Sequence, residues 1–246
     1  AAPFDATLKA TKIVGQCQAR TPGAADFVAV EDGKTYAYGS AFKTAATSQV
    51  DLALSDGNVC TVLPNSDLVF EEDSKVKTLK RVNLTEGNID VAIDEETHKS
   101  NGFEVRTPVA LCVAVGCKFS AAARAVATEA NKGVMSVFAC KEGKLSIKGK
   151  HFNSPTLKNG DTVSVFISSD MSYVRIKNKS GKFMVQIADS DGDPKSVELD
   201  KDQVIAIRAA KHATENKMTL AVVVSGADEK LVESWTGATS IAGDDA

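Results

Sequence analysis

The sequence lacks the apolar run that a membrane-spanning helix requires. Nothing in it approaches the roughly 18 consecutive apolar residues that spanning needs. The longest stretch, Val109 to Val115, is short enough to be one buried strand. An excess of positive charge is also missing. Net charge is −3 with 25% charged residues, so neither the basic footprint of nucleic-acid binding nor attraction to an anionic membrane surface is present. There is no C-x-x-C pair, and the three histidines, His98, His151 and His212, are far apart. Zinc therefore has no recognisable ligand spacing. No G-x-G-x-x-G or P-loop is found, which removes support for nucleotide binding, and no histidine stands in a triad context. The chain opens Ala1-Ala2-Pro3-Phe4-Asp5 rather than with methionine. Small residues there suit a mature terminus left by removal of a secretory signal, which predicts an extracytoplasmic protein, periplasmic or secreted.

Such a compartment permits disulfides among Cys17, Cys60, Cys112, Cys117 and Cys140, although five leaves at least one thiol over. Spacing does not give the pairing. Buried cysteines in strands commonly act as small apolar residues, and most of these five read that way. A Cys112–Cys117 bridge within one strand is disfavoured. Positions five apart on a regular strand face opposite sides, roughly 16 Å apart at about 3.3 Å per residue.

What the sequence has in abundance is period-2 alternation. Val50-Asp51-Leu52-Ala53-Leu54, the turn Ser55-Asp56-Gly57-Asn58 and the returning Val59-Cys60-Thr61-Val62-Leu63 form a hairpin signal. Alternating runs continue through Leu68–Phe70, Ile89–Ile93, Phe103–Thr107, Val134–Cys140, Thr162–Phe166, Tyr173–Lys177, Lys182–Ala188, Val204–Arg208 and Thr219–Val224. The alanine-rich stretch Ser120–Ala127 suits a helix by propensity but sits between strands, and it reads as strand. Only Ser225 to Trp235 reads as helix, with Ser225 and Asp228 resembling a capping box and Gly237 as its stop. The fold class expected is all-β: many short antiparallel strands in a twisted sandwich or solenoid-like stack, with a short C-terminal helix near 227–235. The domains expected are residues 1–168 and a β extension or small β domain at 169–246. A weak internal repeat supports the stack. Leu84-Thr85-Glu86-Gly87 matches Leu157-Lys158-Asn159-Gly160 and, in degenerate form, Leu199-Asp200-Lys201-Asp202, each followed by an alternating strand.

Several of these motifs resemble the FecR domain family in order and spacing. Val50 to Val59 is similar to its "a-L-x-L-x-D-G-S-x-V" stretch and Val82 to Val91 to its "v-x-L-x-x-G-x-v-x-V" stretch. Phe103 to Pro108 with Val113 to Phe119 resembles "F-x-V-x-T-P … v-x-v-x-G-T-x-F", and Leu157 to Val163 the closing "L-x-x-G-d-x-V". The resemblance covers roughly residues 10 to 168. Cys117 stands where the family usually has threonine. Signalling members carry a cytoplasmic anti-sigma segment and a membrane helix before this domain, neither of which is in the sequence. The resemblance implies an extracytoplasmic β module and supplies no catalytic residues.

Chemical motifs are sparse. Asp189, Asp191 and Asp193 space oxygen ligands as a calcium loop does, but Pro194 and Asp200 replace the glycine and glutamate that an EF-hand needs, so a solvated hairpin tip is the better reading. Ser40-Ala41-Phe42-Lys43 matches S-x-x-K without its companion motifs. The carboxylate runs Glu71-Glu72-Asp73 and Asp94-Glu95-Glu96 read as charged turns rather than a glycosidase pair. Tyr36, Tyr38 and Trp235 are the candidate binding residues, able in principle to stack on a sugar. No catalytic residue, cofactor or metal is expected. The function expected is a non-catalytic cell-envelope binding or assembly module that presents a β surface to an envelope protein or a surface or cell-wall glycan. The alternative is an extracytoplasmic signal-sensing, regulatory domain, and a glycan-active hydrolase comes third.

Overall fold

In the computed structural model, residues 7–72, 80–93, 103–128, 132–187, 194–211, 217–228 and 230–240 are described. They form strands and turns, with no helix among them. The strands in chain order are β1 (Thr7–Val14), β2 (Cys17–Arg20), β3 (Val28–Ala29), β4 (Thr35–Ala37), β5 (Ala41–Thr44), β6 (Gln49–Leu54) and β7 (Val59–Val62). Then come β8 (Asp67–Glu72), β9 (Lys80–Ala92), β10 (Phe103–Arg106), β11 (Ala110–Ala127), β12 (Lys132–Gly149), β13 (Phe152–Lys158) and β14 (Thr162–Ser168). The last are β15 (Tyr173–Ser180), β16 (Phe183–Ile187), β17 (Lys195–Leu199), β18 (Val204–Lys211), β19 (Lys217–Ser225) and β20 (Leu231–Ser240).

Strand pairing sorts them into two layers. The first runs β4-β1-β6-β7-β9-β11-β12-β14-β15-β18-β19-β20. The second runs β3-β2-β5-β8-β9-β10-β11-β12-β13-β16-β17. Antiparallel pairing prevails; β9 and β10 pair in parallel. Pairing continues without a break through residue 168, where β14 meets β15. Aromatic contacts lock the layers face to face: Tyr36 on Phe42 at 5.3 Å and Phe103 on Phe119 at 6.4 Å between ring centroids. The buried Ser136 hydroxyl donates to Thr107 Oγ1 at 2.9 Å across the same interior.

Three long strands belong to both layers, because each turns a corner. Residues 80–86 of β9 pair with β8 and β10 in the second layer, and residues 87–92 pair with β7 and β11 in the first. A strand that turns a corner must keep its apolar face inward, and period 2 then demands a one-residue slip. The burial pattern shows it. Inward residues run Val82 and Leu84, then Ile89 and Val91, in β9; Cys112 and Ala114, then Cys117 and Phe119, in β11; Phe138 and Cys140, then Leu145 and Ile147, in β12. The slips fall at Gly87, Gly116 and Gly143, whose φ values of 97°, 54° and 80° are left-handed.

The internal repeat marks the same event. Leu84, Leu157 and Leu199 are each fully buried at the end of a second-layer segment, and three residues later Gly87, Gly160 and Asp202 take φ of 97°, 89° and 66° as the chain passes to the first layer.

Two sequence expectations are corrected. The C-terminal helix near 227–235 is absent: Leu231–Ser240 is strand β20, with Trp235 opposite Val222 and Ser234 opposite Val223 on β19. Ser225 and Asp228 bound a hairpin turn in which Asp228 Oδ1 accepts from Lys230 N–H at 3.2 Å and Gly226 N–H donates to Lys230 O at 2.8 Å. The apolar spacing of Leu231, Val232 and Trp235 was a weak helix signal; the segment instead pairs along the open edge of β19, which takes up the backbone groups on that side. Cys112 and Cys117 likewise do not face opposite sides, since the slip at Gly116 turns both inward. All five cysteines are buried, and none is in a disulfide.

Candidate functional site

Of the residues singled out in the sequence, two are absorbed by the core. Tyr36 is 1% exposed, lies edge-on to Phe42, and its hydroxyl oxygen accepts from Glu31 N–H at 3.3 Å. Tyr38 packs edge-on to Phe70 at 5.9 Å. A sugar platform needs an open ring face, and inward alternation on the short β4 leaves Tyr36 none. The Trp235 side chain and Asp189, Asp191 and Asp193 lie outside the described residues, as do Asp73 and Asp94-Glu95-Glu96. Ser40 and Lys43 are not brought together: the Ser40 hydroxyl is buried, whereas the Lys43 ammonium pairs with Asp67 at 3.0 Å on the surface. Among the described residues, no group of three or more His, Cys, Asp or Glu side chains could hold a metal ion. None of their helices could cross a membrane, since no helix is present.

The outer face of the first layer carries a feature that sequence reading missed. On β14, Val163, Val165 and Ile167 point inward, so Phe166 points outward, yet it is only 9% exposed. The register explains the cover. Arg124 (β11), Met135 (β12), Phe166 (β14) and Arg175 (β15) form one row directly across four strands. Gly133, opposite Ser168, supplies the room: a Cβ there would lie 2.8 Å from the Phe166 ring and 2.0 Å from Ile167 O. In the adjoining row Tyr173 stands opposite Arg208. The Tyr173 ring lies 6.3 Å from Phe166, and the Arg208 guanidinium sits 5.1 Å from its centroid, a cation–π distance.

Two hollows share Phe166 and Tyr173. The first, about 310 Å³, is lined by Arg124, Val126, Thr128, Met135 and Arg175 besides the two rings. The second, about 290 Å³, adds Lys132, Ser168, Asp170, Ser172 and Arg208. Asp170 is held at its rim by the Ser168 hydroxyl at 2.6 Å and by the Ser172 N–H at 3.1 Å and hydroxyl at 2.9 Å. These hydrogen bonds favour the carboxylate and bring its pKa down to about 2. Farther along the same face, a third hollow of about 310 Å³ is floored by small side chains including Ala122 and Ala139. Its carboxylate, Asp90, accepts from the Ser120 hydroxyl at 2.6 Å and pairs with the Lys141 ammonium at 2.9 Å.

The sequence signal for this face was an aromatic residue in the polar phase of a strand, Phe166 between Val165 and Ile167, and one arginine in the outward phase of the alanine run, Arg124. What joins them is strand register, which no local pattern supplies.

Residues 40–145 match the family described as FecR protein. The matched segment spans the corner strands β9, β11 and most of β12. No curated protein matches the chain. Among solved structures, two crystal structures of a "putative anti-sigma factor" from Parabacteroides distasonis ATCC 8503 are similar, each with 12% identity and a TM-score of 0.42. They cover 66% of this chain, which spans 60% of their length.

Proposed function

We propose that this chain is a non-catalytic regulatory module on the extracytoplasmic side of a membrane that acts by pairing with another protein. The FecR match over residues 40–145 carries this reading. The surface is consistent with it: the buried interior is tied up in packing, and what the fold displays is a broad, rigid sheet face with rings and guanidiniums placed by register. Rigid strands hold side chains in a defined array at little ordering cost, which suits recognition.

The test is capture of the tagged full chain from cross-linked native envelopes, together with transcript profiling of a deletion strain. The expected result is a stoichiometric protein partner and a defined set of genes whose expression changes on deletion. Recovery of glycan without protein, or an unchanged transcript profile, would overturn the regulatory reading.

A further inference from the structure

The row Arg124–Met135–Phe166–Arg175 has a spacing that specifies a ligand. Both arginines are exposed, and they are separated by β12 and β14. At about 4.8 Å per strand, three steps put them about 14 Å apart. Between them lies an apolar floor, Met135 and Phe166, inside the first hollow. An extended peptide turns alternate side chains to one face and rises about 3.3 Å per residue, so positions i and i+4 are about 13 Å apart with i+2 midway. Carboxylates at i and i+4 therefore reach Arg124 and Arg175 while an apolar side chain at i+2 enters the hollow.

The charge of the face agrees. Arg124, Lys132, Arg175 and Arg208 surround the paired hollows with Asp170 as their one carboxylate. Among the described residues none of these four cations is in an ion pair with an acidic side chain. In a chain of net charge −3, that concentration of unneutralised cations selects an anionic partner. Arginine also suits carboxylates through its bidentate fork.

We infer that this face is a docking site for an extended acidic peptide segment of a partner protein, with the pattern acidic–x–apolar–x–acidic laid across β11, β12, β14 and β15. This rests on the reading of the chain as a protein-binding regulator and names the surface it would use. β14 and β15 lie beyond residue 145, so the region after the FecR match builds half of the site.

The probe is a fluorescein-labelled peptide of sequence serine–glutamate–serine–leucine–serine–glutamate–serine, followed by anisotropy against the full chain. Saturable binding is expected, weakening as salt rises. Replacing both glutamates by glutamine, or the leucine by serine, should each abolish most of it. The double variant Arg124→Glu/Arg175→Glu should bind at least about tenfold more weakly, as charge reversal at an interface does, while Lys9→Glu on the far strand β1 leaves binding unchanged. If the double reversal perturbs the melting curve, Arg124→Gln/Arg175→Gln replaces it. The site is overturned by no peptide binding, by equal binding of the glutamine peptide, by indifference to both double variants, or by binding of oligogalacturonate in place of the peptide. Capture of the same partner protein by wild type and double variant would overturn this site and leave the regulatory reading standing. Peptide binding with no protein partner captured would do the reverse.

Discussion

Gly87→Ala tests whether the corner of β9 holds the two layers together. Gly87 has φ 97°, and a Cβ there would lie 2.3 Å from Ser66 Oγ, 2.4 Å from Ser66 Cα and 2.5 Å from Asn65 O. Two of these are backbone atoms, so no rotamer change relieves the overlap. Three terms follow. A left-handed φ on alanine costs about 1–2 kcal/mol. Forcing the β7–β8 turn away costs about 1–3 kcal/mol, as overpacking does. Ser66 is buried, accepts from Asn88 N–H at 2.9 Å and donates to Asn88 O at 3.0 Å; weakening those bonds removes about 0.5–1.5 kcal/mol each. The sum is about 3–8 kcal/mol, and at about 2–4 °C per kcal/mol for a domain of this size the melting temperature should fall by about 6–32 °C. Gly57→Ala is the control. Its φ is 88°, but nothing lies within 4 Å of its Cβ, so only the backbone term applies, about 1–2 kcal/mol. Thermal unfolding followed by circular dichroism measures both. Equal losses in the two variants would refute the corner argument, since they would leave nothing for the contact with Ser66.

Four further outcomes follow from the interior and its rim. Burial raises the Cys60 and Cys112 thiols far above their ordinary value, so Ellman's reagent should label neither in the native protein at pH 8 and all five cysteines after denaturation; rapid native labelling of either would contradict the packing. The raised folded pKa also sets a sign. The thiols' contribution to stability is fully present below the unfolded value near 9 and is lost as pH rises above it, so urea midpoints should decline above pH 9, less so in Cys60→Ala. Asn178 is fully buried and its Nδ2 donates to Gly181 O at 3.0 Å and Leu199 O at 2.9 Å. Asn178→Ala removes the donor to the buried Leu199 carbonyl and should cost about 1–3 kcal/mol in a urea titration; a loss under about 0.5 kcal/mol would show that this bond does not tie β15 to β17. Asp170, held down to about 2, should stay ionised until strongly acid conditions in a carbon-13 NMR titration. Its stabilising contribution is present above the unfolded value of 3.8 and lost as pH falls through about 2, and Ser168→Ala should move the titration back up.

Local pattern was enough for the strands, because a half-buried strand writes its inward face directly as alternation. Even the alanine run Ser120–Ala127 followed its neighbours into β11. The repeat of Leu84, Leu157 and Leu199 was legible too, although its meaning as a layer-crossing corner appears only once the pairing is known. The FecR resemblance was carried by the same hairpins, and the family match over residues 40–145 agrees with it. Where period-2 reasoning failed, it failed for a definite reason. Cys112 and Cys117 were assigned to opposite faces by counting, and a one-residue slip at Gly116 cancels the count. Leu231, Val232 and Trp235 were assigned to a helix by spacing, and the unpaired edge of β19 claimed that segment as a strand.

Alternation, turn chemistry and motif order, then, determined by themselves that this chain is all-β and FecR-like. Tertiary structure alone decided which side chains meet: Tyr36 and Tyr38 went to the core, while Arg124, Met135, Phe166 and Arg175, spread over 52 positions of sequence from 124 to 175, came into one row. Alternation says which way a side chain points along its own strand, but the neighbours it meets are set by strand order and register, and those depend on corners and crossovers far away in the chain.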